Sequence, residues 1–291
     1  MDAFARPRLD CLNLAATHNL RPKSLWRAIL AALAALVLAP GLAAAQPEKC
    51  PRMVADRAPV RLAALEGGGL RLAEAAGLVR LTFLGHASFL IESPAGVTIV
   101  TDYNDYIRPP LVPRVVTMNH AHDTHYTEVP EAGIEYVLRG WSPEGGAARH
   151  ELTLEDVWIR NVPTNIRRGP GTEYDGNSIF VFEVAGLCIA HLGHLHHLLT
   201  PDHLEALGRI DVVLAPVDGS YTLDIEGMVE TLKAINAPLV IPMHYFSQWG
   251  LERFLSRLGR DWWVERSDAP SVMLGRQMLP KVPTLLVLPG R

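Results

Sequence analysis

The sequence predicts one α/β domain in which polar clusters collect where strands end. Three observations predict it. Short apolar runs rich in β-branched residues recur from Leu78 onward, as buried strands require. Helix signals lie between the later runs: Thr200-Pro201-Asp202 reads as a cap, a first-turn proline and a first-turn acid, and residues 224–235 have helical periodicity. Several apolar runs also stop at histidine.

Taken in order, Val79-Arg80-Leu81-Thr82-Phe83, Ser88-Phe89-Leu90-Ile91-Glu92 and Val97-Thr98-Ile99-Val100-Thr101 are separated by turn residues. They are expected to pair as antiparallel neighbours. Val115-Val116-Thr117-Met118 is the next strand, followed by strands near residues 136–139 and 157–161. Residues 163–176 read as a long loop carrying Arg167 and Arg168, and loops of that length often bind ligands. The two arginines fit an anionic substrate or a solvated loop. Strands follow over 179–184, 188–190, 212–216, 238–242, 271–274 and 284–288, with a further helix over 251–258. His203 falls inside the helix that starts at Thr200 and reads as a surface residue.

Of the 291 residues, 48% are hydrophobic and 20% charged, which supports a sizeable core. The net charge of −4 offers no global attraction to nucleic acid or to an anionic membrane, so neither is an expected partner; a small-molecule substrate is. Residues 1–45 read as a secretory signal: Arg21, Lys23 and Arg27 precede an apolar segment over 28–39, then Ala43-Ala44-Ala45, with cleavage expected before Gln46. The protein is therefore expected to be periplasmic or secreted, with no stable membrane association after cleavage. Residues 46–77 form a peripheral lead-in and 78–291 the domain. Export permits a disulfide between Cys50 and Cys188; two free thiols, with Cys188 buried in a strand, fit the sequence equally well.

The chemistry lies in the histidines. His120, His122 and His125 follow the strand at Val115, while His191, His194, His196 and His197 follow Cys188-Ile189-Ala190, and His244 ends Ile241-Pro242-Met243. Imidazole is a common ligand for zinc and other first-row metals, and three strand ends carrying it point to a shared cation. His86 fits a ligand or a hydrogen-bonded core residue. Asp102 fits a carboxylate behind a ligand or a solvated turn.

The set Leu84-Gly85-His86-Ala87-Ser88, His120-Ala121-His122-Asp123-Thr124-His125, His191-Leu192-Gly193-His194 and Pro242-Met243-His244-Tyr245 resembles the metallo-β-lactamase-fold hydrolases. The branch it is most similar to includes the ascorbate-6-phosphate lactonase-like proteins. The resemblance implies a four-layer αββα sandwich with the metal site at one edge between the sheets. It also implies hydrolysis by metal-bound hydroxide, with one or two zinc ions or another transition metal. The family's H-x-H-x-D-H pattern falls on His120, His122, Thr124 and His125, so its aspartate is missing at Thr124. Its bridging aspartate is replaced by His194, and imidazole has a single lone pair with which to bind a cation.

The expected ligands are His120, His122, His125, His194 and His244, with His86, Asp102, His191, His196 and His197 behind them or as replacements. Asp123 and Asp218 are the expected acid–base groups. Arg167, Arg168, Tyr221 and Tyr245 are the expected substrate contacts. The function so implied is an exported metal-dependent hydrolase of an ester, lactone or phosphodiester. The alternatives are a catalytically inactive metal- or ligand-binding protein on the same fold, and a histidine-rich metal carrier.

Overall fold

The computed structural model describes residues 50 and 77–290. The expected signal over 1–45 and nearly all of the expected lead-in over 46–77 lie outside the described residues. No helix among the described residues is long and apolar enough to cross a membrane.

The first sheet starts as the antiparallel run β1 (Val79–Gly85), β2 (Ser88–Glu92) and β3 (Thr98–Val100). Turn residues at Ser93 to Val97 reverse the chain between β2 and β3, with Ser93 N donating to Val97 O at 2.9 Å. Parallel β4 (Val115–Met118) and β5 (Tyr136–Arg139) follow. The second sheet collects β6 (Glu151–Leu154), β7 (Val157–Arg168), β8 (Gly171–Val184), β9 (Leu187–His191), β10 (Val212–Pro216), β11 (Leu239–Met243), β12 (Trp263–Arg266) and β14 (Thr284–Val287). β13 (Ser271–Leu274) returns to pair with β1. The orders are β13-β1-β2-β3-β4-β5 and β12-β14-β11-β10-β9-β8-β7-β6.

Period-two alternation builds the layers. Phe180, Phe182, Ile189, Val212, Leu214, Leu239 and Ile241 face Leu81, Phe83, Phe89 and Ile99 of the first sheet. The alternate residues Ile179, Val181, Cys188, Ala190, Val213, Ala215 and Val240 face outward into a second core. That core is closed by Leu207 of α1 (Pro201–Leu207), Met228 and Leu232 of α2 (Ile225–Ile235), and Leu251 and Phe254 of α3 (Gln248–Leu255). Strands buried on both faces are the rule where helices carry parallel crossovers, and α1 and α2 connect the parallel neighbours β9, β10 and β11. α1 opens on a reciprocal capping box of Thr200 and His203. α2 is capped by Asp224 and ends at Asn236, whose backbone is left-handed.

One sequence expectation is corrected. Residues 163–176 are not a long loop: β7 and β8 pair through Ile166↔Glu173, Arg167↔Thr172 and Arg168↔Gly171. Buried Thr164 and Ile166 anchor this hairpin, and Gly169, at φ +54, makes its turn. The sequence carries no clear strand signal here, because polar residues alternate with few apolar ones and Gly-Pro-Gly sits at the tip. The two-sheet α/β architecture agrees with the expected class; among the described residues the outer face of the first sheet is covered by connecting segments. Leu84, Leu90, Val100, Tyr103, Val116 and Met118 are covered by Ile107, Tyr126, Ile134 and Trp141 from connecting segments. Pro109, Pro110 and Pro113 remove amide donors from the first of these segments and so oppose a helix there.

Cys50 and Cys188 are joined by a disulfide, and Cys50 N donates to Glu183 Oε2 at 2.7 Å. The bond spans 138 residues. Reducing it, or replacing Cys188 by Ser, is expected to lower unfolding free energy by about 2–4 kcal/mol. Denaturant midpoints with and without reductant measure this.

Candidate metal centre

Six chain segments, three from each sheet, bring polar side chains together. His86 follows β1, Asp102 follows β3, the 119–125 turn follows β4, His194 lies beyond β9, Asp218 beyond β10 and His244 beyond β11. Carboxyl ends of parallel strands are where α/β sheets place ligands. His86, Asp102 and His244 have left-handed backbones, with φ of 51°, 44° and 57°. Such residues cost about 1–3 kcal/mol each and gather at functional sites. His244 N donates to His86 O at 2.6 Å, fixing the two reversals against each other.

Two histidines are locked by carboxylates. His125 Nδ1 donates to Asp102 Oδ2 at 2.6 Å, while Asn119 Nδ2 donates to Asp102 Oδ1 at 2.9 Å. His244 Nδ1 donates to Asp218 Oδ1 at 3.0 Å. A neutral imidazole that donates through Nδ1 keeps its lone pair on Nε2. The two Nε2 atoms stand 3.3 Å apart. His86 joins them: one ring nitrogen from each of His86, His125 and His244 lies within 4.8 Å of the others. His194 packs against this group, its ring centroid 4.8 Å from those of His122, His125 and His244.

Burial sets the charge state. It lowers His86 to about 3, helped by the charges of His244 and His125. It drives His125 well below the ordinary imidazole value and lowers His122, His191 and His194. Burial raises Asp102, against the pull of His191 and of the hydrogen bond from Asn119. For Asp218, burial acts upward, but the hydrogen bond and charge of His244, with Thr222 and Ser220, hold the carboxyl well below its usual range.

The site fits a divalent cation. Two imidazoles held by carboxylates through Nδ1 direct lone pairs to one place, and three neutral imidazoles suit zinc and other first-row ions. Buried His86 Nδ1 has no hydrogen-bond partner among the described residues. His86, His125 and His244 are the residues that would hold the ion, with His122 beside them.

The other expected site residues take different places. His120 stands outside the group: it stacks on Trp141 at 4.9 Å, and its Nδ1 pairs with Glu173 Oε1 at 2.8 Å. The chain turns after Asn119, so successive histidines of the motif point to different sides. His191 has both nitrogens engaged, Nε2 with Ala87 O at 2.8 Å and Nδ1 with Gly193 N at 3.2 Å. His197 Nε2 accepts from Asn165 N at 3.0 Å. His196 connects Arg167 N to His194.

Asp218 is surrounded by donors: Oδ1 accepts from Thr222 Oγ1 as well as His244, and Oδ2 accepts from Ser220 and Tyr221 N. This makes it an orienting group for His244 rather than a proton acceptor for substrate. Asp123 lies at the surface, its Oδ2 accepting from Tyr106 OH at 2.6 Å. Arg167 donates to Ser220 O and Thr222 O, and Arg168 to His120 O and Ala121 O. Both guanidiniums therefore brace site loops. Tyr245 points away, donating to Leu288 O at 3.4 Å. Tyr221 is exposed at the mouth, edge-on to His122 at 6.2 Å.

Sequence reasoning missed Asn119, Asn177, Glu173 and Phe246. Asn177 Oδ1 accepts from His194 N at 2.8 Å, and exposed Phe246 lies 5.2 Å from His244. Asn119, directly between β4 and His120, offered a positional signal; the others offered none.

The layered sheets and the edge histidines define the class, a metal-dependent hydrolase. Residues 80–244, more than half of the chain, match the family described as the β-lactamase superfamily domain. A metal-dependent hydrolase of the UPF0173 group from Methanoculleus marisnigri is 27% identical over 67% of this chain and 93% of its own. One from Thermoplasma volcanium is 36% identical over 57% of this chain and 83% of its own. A structure from Thermotoga maritima, described as a candidate Zn-dependent hydrolase of the metallo-β-lactamase superfamily, is 31% identical. It aligns with a TM-score of 0.53, covering 73% of this chain and 100% of its own. The chain belongs to the metallo-β-lactamase superfamily.

Two outcomes are expected. Asp102→Asn should weaken metal binding by about 10–100-fold, read by competition with a chelating dye. The depressed histidines bind protons in the unfolded chain but not in the folded one, so stability is full above pH 6.5 and falls as pH drops toward 3. Thermal midpoints of metal-free protein from pH 7 to 4 should fall steadily.

Proposed function

We propose that this protein is an exported zinc-dependent hydrolase of a small ester, lactone or phosphodiester. The observation that carries the reading is the pair Asp102–His125 and Asp218–His244, whose Nε2 atoms face each other at 3.3 Å. Hydrogen bonding of this kind fixes ring orientation and raises ligand basicity. His86, His125 and His244 would hold a cation, which would supply Lewis acidity and acidify bound water.

The chain's own groups supply the surroundings. Asp102 and Asp218 hold the Nδ1 protons of the two ligands. Exposed Asp123, bonded to Tyr106, shares the 119–125 turn with His122 and His125. Tyr221 and Phe246, with centroids 5.7 Å apart, form an apolar wall at the mouth. The leader pattern at 28–45 and the Cys50–Cys188 disulfide support an oxidising, exported location. The net charge of −4 supports a soluble small molecule over nucleic acid or membrane as partner.

A second reading, metal binding without turnover, draws on Thr124 and His194 standing where the family pattern carries acids. Elemental analysis of chelator-free protein, followed by ester, lactone and phosphodiester screens, separates the two. The hydrolase reading expects bound zinc and turnover that His125→Ala and His244→Ala both abolish along with the metal. Bound zinc with no turnover on any of these substrates favours the second reading, and folded protein that takes up no metal sinks both.

A further inference from the structure

Resting on the hydrolase reading, we infer that His194 is a hydrogen-bond donor, through Nε2–H, to an anionic substrate oxygen, and that His196 fixes this role. His194 is not a metal ligand.

The argument follows one proton at a time. Arg167 N donates to His196 Nδ1 at 3.2 Å. A backbone amide always carries its hydrogen, so His196 Nδ1 carries none and its proton sits on Nε2. That Nε2 lies 2.5 Å from His194 Nδ1. His194 Nδ1 must therefore accept, and since a neutral imidazole has one N–H and one lone pair, the proton of His194 is on Nε2. This atom is buried and has no hydrogen-bond partner among the described residues. It belongs to a ring packed against His122, His125 and His244.

The opposite tautomer is imposed on His125 and His244, where carboxylates accept from Nδ1. The chain thus sorts its clustered imidazoles by what stands behind each ring. A carboxylate behind the ring leaves a lone pair on its far nitrogen, and an imidazole that is itself held by an amide leaves an N–H there. Moving the His194 proton to Nδ1 would aim two N–H groups at each other within the chain Arg167, His196, His194.

The backbone holds the donor in place. His194 N donates to Asn177 Oδ1 at 2.8 Å. Gly193, at φ +59, is cradled so closely that an added Cβ would lie 2.5 Å from Asn119 Nδ2 and Asn177 Oδ1. A fixed donor beside a Lewis-acid site stabilises negative charge that develops on a carbonyl or phosphoryl oxygen.

The test uses zinc-loaded full-length protein, with inorganic phosphate as the oxyanion probe, and 15N-histidine spectra of the metal-free protein. Those spectra should show the Nε2–H tautomer for His194 and Nδ1–H for His125 and His244. His194→Ala should retain zinc, lose roughly 10- to 100-fold in phosphate affinity, and lose about 100- to 1000-fold in kcat on a hydrolysed substrate. His194→Gln, which restores an N–H near the same point, should recover part of the phosphate affinity. His196→Ala should keep zinc and change the His194 tautomer. Loss of zinc from folded His194→Ala, or an Nδ1–H signal from His194, overturns the inference. Unchanged phosphate affinity in His194→Ala overturns it as well. Because zinc retention, tautomer and phosphate binding are read without turnover, failure of the hydrolase reading is distinguishable from failure of this one.

Discussion

The site depends on the burial of Asp102. A carboxyl group with no exposure is tolerable only if its oxygens are hydrogen-bonded. Here one oxygen takes Asn119 and the other His125. Its own carbonyl accepts from Ser88 Oγ and Asn104 Nδ2. Those partners come from β2, from the turn after β3 and from the turn after β4. One residue therefore ties three segments of the first sheet together and sets the direction of a ligand ring. Asp218 does the corresponding work on the second sheet, holding His244 with one oxygen while gathering the amides of Ser220 and Tyr221 with the other.

The β7–β8 hairpin ties the two loop systems to each other. Arg168 reaches the carbonyls of His120 and Ala121, and Arg167 reaches those of Ser220 and Thr222. Glu173 completes the first clamp by bonding both Arg168 and His120. The same hairpin supplies the Arg167 amide that orients His196. A histidine that reads in isolation as a ligand can in this way be a brace, and an arginine that reads as a substrate contact can be a clamp. The left-handed backbones of His86, Asp102 and His244 are held by other bonds: His244 N to His86 O, those to the carboxylate and carbonyl of Asp102, and that of the His244 ring to Asp218.

Much of the fold was legible because burial leaves a periodic trace. The β1–β2–β3 run, the doubly buried strands β8 to β11, and α2 with its Asp224 cap all carry patterns that follow from which faces are covered. Where the pattern weakens, the reading failed. The long β7–β8 hairpin extends beyond the core with polar residues on both faces, and its Gly169-Pro170-Gly171 tip has the composition of a loop. Among the expected site residues, His125 and His244 lie at strand ends and their rings meet there. His86 rather than His120 joins them, because spacing along a turn does not fix which way a side chain leaves it.

The sequence by itself determined the layered α/β class and the delivery of histidines to strand ends. Both follow from local apolar periodicity and from where it stops. Only the tertiary structure decided which imidazoles meet, because that depends on left-handed reversals at His86 and His244 and on the crossing of two sheets. It also decided what each ring can do. A histidine's lone pair points wherever the partner on its other nitrogen leaves it, and the partners here, Asp102, Asp218 and His196, are distant from or two residues removed from the rings they set.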